Sequence, residues 1–191
     1  MERPPPFQAS TILLGVTGGI AAYKAVDLAS RWHQRGARVR VLMTPAATRF
    51  VTPLTFQAVT REPVASDIWQ ASEESGQRPE HIDAGEDADL LVVAPATADF
   101  LARAACGLAD DILALTLLAH DGPVIMAPAM NDRMWAHPAV ERNVAILRER
   151  GVTFVEPATG RLACGSFGQG RLADLDEIDD AVAAALRAGG R

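Results

Sequence analysis

The sequence predicts an α/β fold in which one parallel sheet is covered by helices on both faces. Short, nearly continuous apolar runs alternate along the chain with segments in which apolar residues recur at helical spacing. Such runs are typical of strands buried on both faces, and the alternation is typical of a parallel sheet. A length of 191 residues suits one domain. We therefore predict a single domain over residues 11–188, preceded by a tail over residues 1–10.

The strands are predicted from the apolar runs and from the turn residues that bound them. The first run, TILLGV, is followed by Gly18 and Gly19, and the fourth, PVIMA, is followed by Pro128. Five strands are predicted, over residues 11–16, 38–43, 89–94, 123–127 and 153–155.

Helices are predicted between the strands, wherever apolar residues share one face. From residue 20 to residue 35 that face carries Leu28, Ala29 and Trp32, and Gly36 ends the helix. The same reasoning predicts helices over residues 53–59, 98–105, 112–119, 138–150 and 175–187, and a short helix that starts at Thr44 and Pro45.

Charge and cysteine content exclude several classes of function. The net charge is −6, and no basic block is present that could neutralise nucleic-acid phosphates. No apolar run reaches the ~18 residues needed to cross a bilayer, and the first ten residues lack the apolar stretch of a signal peptide. Cys106 and Cys164 do not form a disulfide framework or a metal-binding spacing. We expect a cytoplasmic protein with reduced thiols, with no metal, nucleic-acid or membrane partner, and with Cys106 buried between two helices.

The residues that directly follow the strands are the candidates for a binding site. In open parallel sheets, ligands bind beyond the carboxyl ends of the strands, where the strand order reverses. Gly18 and Gly19 open a helix there, and such a turn either binds an anion through its free N–H groups or simply connects strand to helix. Thr44 and Thr97 also precede helices and are good N-caps. Three such helix starts at one sheet edge favour a cofactor that carries a phosphate.

Five further residues could carry chemistry, and each also has an ordinary structural explanation. Asn131, in PAMNDRMW, could cap a helix or hold a substrate carboxylate through its amide. His81 lies before the third strand, where it could act as a general base or be a surface histidine. Cys164 lies among glycines, which favours an accessible nucleophile or proton donor. The adjacent carboxylates of Asp110 and Asp111 are typical of a helix start.

Five segments, taken together, resemble a known family. They are GVTGGIAAYK (residues 15–24), APATADF (94–100), GLADDIL (107–113), PAMNDRMW (128–135) and LACGSFGQGRL (162–172). Their order is similar to that in the homo-oligomeric flavin-containing cysteine decarboxylases, and most similar to that in the phosphopantothenoylcysteine decarboxylases. PAMN followed by LACG at this spacing is specific, and the resemblance extends over residues 11–178.

The resemblance implies a flavodoxin-like (Rossmann-like) three-layer fold that binds FMN between the subunits of a homotrimer, which can assemble further into a homododecamer. It implies that His81 is the active-site histidine, Asn131 the substrate-binding asparagine and Cys164 the proton donor. It implies FMN contacts at Gly18, Gly19, Ile20, Thr44, Pro45, Ala46, Phe50, Thr97, Ala98, Asp99 and Ala129. It implies substrate contacts at Asn131, Met134, Arg161, Ala163 and Leu172.

The implied reaction is decarboxylation of 4′-phosphopantothenoylcysteine to 4′-phosphopantetheine in coenzyme A biosynthesis. An amino acid loses CO₂ slowly because its carbanion has no electron sink, and oxidation of the cysteine thiol to a thioaldehyde by the flavin supplies one. His81 would assist proton removal, and Asn131 would hold the carboxylate. Cys164 would then protonate the enethiolate while the flavin hydride returns.

Three alternatives stay open at this point. A flavin prenyltransferase of similar fold would also bind FMN, but it would need neither Asn131 nor Cys164. A decarboxylase of peptides that end in cysteine would share the mechanism and differ outside the pocket. A non-catalytic regulatory flavoprotein of this family would lack a catalytic residue or carry a long charged extension. The bifunctional bacterial enzyme continues into a CTP-using synthetase domain, and whether the natural protein does so is also left open.

Overall fold

The computed structural model describes residues 6–68 and 88–189 of the chain. Its centre is a parallel sheet of six strands in the order β3-β2-β1-β4-β5-β6. The strands are β1 (Thr11–Val16), β2 (Arg38–Met43), β3 (Val64–Ala65), β4 (Leu90–Ala96), β5 (Val124–Pro128) and β6 (Thr153–Phe154). The predicted three-layer α/β fold is confirmed, and the strand order reverses between β1 and β4 as in doubly wound folds.

Helices cover both faces of this sheet. The described helices are α1 (Ala22–Gln34), α2 (Pro53–Thr60), α3 (Ala98–Cys106), α4 (Ile112–Ala119), α5 (Asp132–Trp135), α6 (Pro138–Glu149) and α7 (Leu175–Ala188), with a 3₁₀ turn over Ala47–Arg49. Each predicted helix is present within two residues of its expected ends, except that the helix expected at Thr44 is this 3₁₀ turn. Strand β3 and helix α5 were not predicted.

The core forms because alternate residues of each strand point to opposite faces. In β1, Ile12 and Leu14 belong to the cluster that packs against α1, α2 and α7, which includes Trp32 and Phe56. Leu13, between them, belongs to the other cluster, which packs against α3, α4 and α6. Both faces are buried, and this explains why the strands are nearly continuous apolar runs.

A separate two-stranded antiparallel hairpin was also not predicted. It consists of β7 (Ala158–Arg161) and β8 (Phe167–Arg171), and its tip carries Cys164. The backbone of Met130, after β5, donates to the Gly170 carbonyl at 2.9 Å, which docks the hairpin on the turn that follows the sheet.

One expectation about the end of an element differs from the structure. Cys106, which we expected to be buried between helices, is exposed. It is the last residue of α3, and Gly107 then reverses the chain with φ = 71°, so the thiol lies past the face that packs on the core. Phe7, in the predicted tail, is 4% exposed. The Arg35 guanidinium packs over the Phe7 ring, 4.6 Å from the ring centroid.

Among the described residues, no helix combines the length and apolar character needed to span a bilayer.

Candidate functional site

A cleft of about 890 Å³ lies at the carboxyl edge of the sheet. The residues that follow β1, β2, β4 and β5 all line it, and the reversal of strand order between β1 and β4 lies among them. This is where doubly wound folds bind ligands, and the volume suits a cofactor-sized molecule. The hairpin and the residue after it contribute to the lining through residues 161–164 and 170–172.

The buried hydroxyl of Thr17 joins the two strand ends at this reversal. Its Oγ1 donates to the Pro95 carbonyl at 2.7 Å and accepts from the Thr97 N–H at 3.1 Å. Because Thr17 directly precedes Gly18 and Thr97 starts α3, the two loops are held in a fixed relation. Thr17 was not singled out from the sequence, where it is one more polar residue after a strand.

The turn after β1 leaves backbone donors free. A Cβ at Gly18 would overlap Ala46, so only glycine lets the turns after β1 and β2 approach this closely. Within the part of the chain that the structure describes, the N–H groups of Gly18 and Ile20 have no hydrogen-bond acceptor. Free N–H groups at the start of a helix bind anionic groups such as phosphate. The site therefore has the donors and the close backbone approach that a phosphate needs.

Thr44 and Thr97 also act as the helix caps that their positions predict. Thr44 Oγ1 accepts from the Ala47 N–H at 3.2 Å, and Thr97 Oγ1 accepts from the Phe100 N–H at 3.3 Å. Both residues line the cleft. A capping oxygen keeps its own O–H as a donor.

The hairpin tip brings Cys164 next to Asn131. The tip is a tight turn in which the Gly165 N–H donates to the Leu162 carbonyl at 2.9 Å, and Gly165 has φ = 91°, which favours glycine. Asn131 caps α5, because its Oδ1 accepts from the Arg133 N–H at 2.9 Å. This bond fixes the orientation of the amide, and the Asn131 Nδ2 donates to Cys164 Sγ at 3.1 Å. The capping role and the functional role predicted for Asn131 are thus compatible.

A second hydrogen bond at Cys164 comes from its own turn. The Ser166 hydroxyl lies 3.2 Å from Cys164 Sγ. Hydrogen bonds with Ser166, first with its side chain and then with its backbone, and with Asn131 hold the pKa of the Cys164 thiol below its usual value, because these groups can donate to the thiolate. A thiol with such neighbours is suited to give up a proton.

Arg103 is a charged residue of the lining that the sequence did not single out. Its guanidinium pairs with Asp111 and Asp110, both at 2.6 Å, and with Asp99 at 3.7 Å. Burial opposes its charge, but the hydrogen bond to Asp111 and the three carboxylates outweigh burial and raise the pKa of Arg103. The adjacent carboxylates thus hold Arg103 in place, while Asp111 also caps α4 through the Ala114 N–H at 2.9 Å.

Almost all residues proposed from the sequence lie together in this cleft. The lining contains Gly18, Gly19, Ile20, Thr44, Pro45, Ala46, Thr97, Ala98, Asp99, Ala129, Asn131, Met134, Arg161, Ala163, Cys164 and Leu172. Phe50 is exposed and lies outside the lining, and His81 lies outside the described residues. Residues that the sequence reasoning did not assign also line the cleft: Tyr23, Lys24, Arg103, Met130 and Arg171. Of these five residues only Arg103 lies outside the quoted motifs, and membership of a motif is the signal that could have found the other four.

The chain is similar in sequence and in fold to known proteins. A family model described as Flavoprotein matches residues 4–187. The coenzyme A biosynthesis bifunctional protein CoaBC of Bacillus subtilis (strain 168) is 51% identical over 167 residues, which are 87% of this chain and 41% of that protein. The chain therefore spans well under half the length of this curated relative.

Two solved structures match over nearly their whole lengths. The FMN-dependent cysteine decarboxylase SpaF is 35% identical with a TM-score of 0.83, covering 97% of this chain and 99% of its own. A cysteine-to-serine mutant of a PPC decarboxylase, complexed with pantothenoylaminoethenethiol, is 32% identical with a TM-score of 0.82, covering 92% of this chain and 97% of its own.

Proposed function

The chain belongs to the flavoprotein family, and from that membership and the geometry of the cleft we propose that it decarboxylates 4′-phosphopantothenoylcysteine to 4′-phosphopantetheine with FMN as cofactor. This is a carboxy-lyase reaction of coenzyme A biosynthesis. The observation that carries the proposal is the 3.1 Å contact between Asn131 Nδ2 and Cys164 Sγ inside the cleft. This contact brings an amide that can bind a carboxylate next to a thiol that can give up a proton. A protein that only binds flavin would need neither group. The relatives CoaBC and PPC decarboxylase support the choice of substrate.

The lining of the cleft suits the phosphate-bearing part of FMN. Free N–H groups at Gly18 and Ile20, with the hydroxyls of Thr44 and Thr97, suit the phosphate and ribityl groups. Ala98 and Ala129 offer small apolar contacts beside them. When bound, FMN would supply two-electron oxidation of the substrate thiol, and the oxidised carbon–sulfur group would accept the electron pair left behind when CO₂ departs.

The side chains of the chain would divide the remaining work. Asn131 has a second N–H on Nδ2 besides the one donated to Cys164, and it can hold the substrate carboxylate without repelling it. Cys164 protonates the carbon that has lost CO₂. His81, which we assign from the family resemblance, assists removal of the substrate thiol proton. Met134, Arg161, Ala163 and Leu172 line the cleft around Cys164 and would contact the substrate.

We further propose a homotrimer, with a homododecamer as its higher assembly. Several large apolar side chains are exposed on the single chain. Ile20 and Tyr23, which line the cleft, are 63% and 61% exposed, and Phe50 and Leu54 are also exposed. Large apolar side chains that stay exposed are typical of protein interfaces when they form one patch. A neighbouring subunit would cover such side chains and complete the FMN site, and Phe50 would meet FMN across that interface. Light scattering should report a multiple of three chains, and a stable FMN-loaded monomer would contradict this.

The location proposed is the cytoplasm, because Cys164 must stay a free thiol to act as an acid and cytosolic thiols are kept reduced.

The proposed function is tested by incubating the purified FMN-loaded protein with phosphopantothenoylcysteine and detecting phosphopantetheine by mass. A peptide that ends in cysteine serves as the comparison substrate. We expect the parent to convert the first and not the second. Failure to convert either substrate would overturn the function, and preference for the peptide would reassign the substrate.

Two variants then test the roles of the thiols. Cys164→Ser should still release CO₂ but should yield the enethiol, two hydrogens lighter than phosphopantetheine, because serine is too weak an acid to complete the reduction. Cys106→Ser should behave like the parent, since Cys106 is exposed at the end of α3 and outside the cleft. Normal phosphopantetheine from Cys164→Ser would assign the acid to another residue.

A further inference from the structure

Resting on the proposed function, we propose that Ser166 is a positioning residue for the protonation step: anchored by Asp132, it holds the Cys164 thiol against Asn131 and supplies a hydrogen bond to the thiolate left behind. Cys164, Ser166 and Asp132 form a connected chain of side-chain contacts. Ser166 Oγ lies 3.2 Å from Cys164 Sγ and also donates to Asp132 Oδ1 at 3.2 Å. Nothing in the function so far uses Ser166 or Asp132.

The direction of these hydrogen bonds follows from the chemistry of the groups. An ionised carboxylate only accepts, so the single proton of the Ser166 hydroxyl goes to Asp132. The lone pairs of Ser166 Oγ are then left for the S–H of Cys164. On the opposite side, Asn131 Nδ2 donates to the same sulfur. The thiol is therefore held from two sides, and its position over the cleft does not depend on the hairpin backbone alone.

The Asp132 side chain, which accepts from Ser166, is held in place by close packing against the hairpin. A Cβ at Gly168 would lie 2.7 Å from Asp132 Cβ and 2.8 Å from Asp132 Oδ2. The hairpin thus runs directly against this side chain, because position 168 has no side chain of its own. Both Ser166 and Asp132 are partly buried, whereas Cys164 between them and the cleft is exposed.

The protonation step shows what Ser166 contributes. The S–H bond of Cys164 breaks, and its proton forms the new C–H bond on the carbon that has lost CO₂. Bound FMN would supply the hydride that the neighbouring carbon needs, and solvent would later return one proton to the thiolate. While the thiolate exists, the Ser166 hydroxyl can turn from Asp132 to the sulfur and join Asn131 as a donor. Removing Ser166 should therefore weaken the acid without removing it.

The test uses the FMN-loaded protein in a Cys106→Ser background, so that Cys164 is the remaining thiol. The variants are Ser166→Ala and Ser166→Thr, with Gln169→Ala as a control on the exposed side of the same hairpin. Iodoacetamide alkylation of Cys164 is followed as a function of pH, because only the thiolate reacts. We expect Ser166→Ala to move the midpoint of this profile to higher pH, and Ser166→Thr to restore it.

Product analysis with phosphopantothenoylcysteine gives a second readout. Ser166→Ala should release a larger share of the enethiol that is two hydrogens lighter than phosphopantetheine, while Ser166→Thr and Gln169→Ala should match the parent. Equal FMN content in all variants checks that the fold is intact. An unchanged midpoint and product ratio in Ser166→Ala would overturn the inference, as would a changed midpoint that threonine fails to restore. A parent that forms no product would overturn the proposed function instead, and the alkylation profiles would then still decide whether Ser166 holds the thiol.

Discussion

Replacement of Thr17 by valine should loosen the ligand site without changing its shape. Valine fills the same volume but removes the hydroxyl that donates to the Pro95 carbonyl at 2.7 Å and accepts from the Thr97 N–H at 3.1 Å. Each hydrogen bond contributes a net ~1 kcal/mol, and leaving a buried polar group unpaired costs about 1–3 kcal/mol. We expect Thr17→Val to lower the free energy of unfolding by about 2–3 kcal/mol.

That loss should be visible both in stability and in cofactor binding. For a domain of this size it corresponds to a fall in Tm of roughly 4–12 °C. The Thr97 N–H lies at the start of α3, at the cleft, so FMN should also bind more weakly. The Kd of FMN should rise about tenfold for each 1.4 kcal/mol by which the substitution destabilises the FMN-bound protein more than the FMN-free protein. Differential scanning calorimetry of the FMN-free protein measures the first quantity, and titration with FMN followed by flavin fluorescence measures the second.

Thr116→Val is the matched control for this prediction. Thr116 is also fully buried, but its hydroxyl donates at 2.8 Å to the Ile112 carbonyl one turn back in α4. That carbonyl lies in the helical ladder, so the substitution leaves no group unpaired and should cost less than about 1 kcal/mol with FMN affinity unchanged. Equal effects of Thr17→Val and Thr116→Val on Tm and on FMN binding would refute the reasoning.

Two further substitutions test parts of the site that the sequence alone suggested or missed. His81→Asn should abolish substrate oxidation while FMN stays bound, because a base is lost and the cofactor contacts are not; near-normal turnover with full FMN content would make His81 an ordinary surface residue. Gly170→Ala should destabilise the protein by about 1–3 kcal/mol and slow the reaction, because its Cβ would fall on the Met130 carbonyl and the hairpin would have to move away from Asn131. For Gly170→Ala, urea unfolding and enethiol release are the measurements, and a variant as stable and as complete in turnover as the parent would contradict the docking role of Gly170.

The sheet and its helices could be predicted from the sequence because burial on both faces leaves a strong pattern. Every strand from β1 to β6 except β3 was predicted, and β3 has only two residues, too few for a pattern. The hairpin could not be predicted in this way, because β7 and β8 are largely exposed or half-buried and rich in glycine. These strands are stabilised by pairing with each other and by the bond from Met130 to Gly170, neither of which is visible in local composition.

The site could be predicted in part for the same physical reason. The helix starts at Gly18, Thr44 and Thr97 must meet, because the carboxyl ends of parallel strands share one edge. No such rule brings Asn131 and Cys164 together across 33 residues. The family resemblance assigned both residues to one active site, and the hydrogen bond between them is seen only in the structure. The expectation for Cys106 was wrong because a helical position alone does not tell whether a residue lies before or after the end of the packed face.

The glycines of the hairpin explain how the exposed thiol of Cys164 can keep a fixed position although the hairpin buries few side chains. Strand β8 crosses the turn after β5 so closely that a Cβ at Gly168 or Gly170 would collide with Asp132 or with the Met130 carbonyl. Bare backbone at these two positions lets the hairpin rest on a rigid element that the sheet fixes. The tip is then positioned by that contact, by the buried side chain of Leu162 and by the bond of Cys164 to Asn131. Cys164 can therefore stay exposed and still keep a defined place, which its proposed role as a proton donor requires.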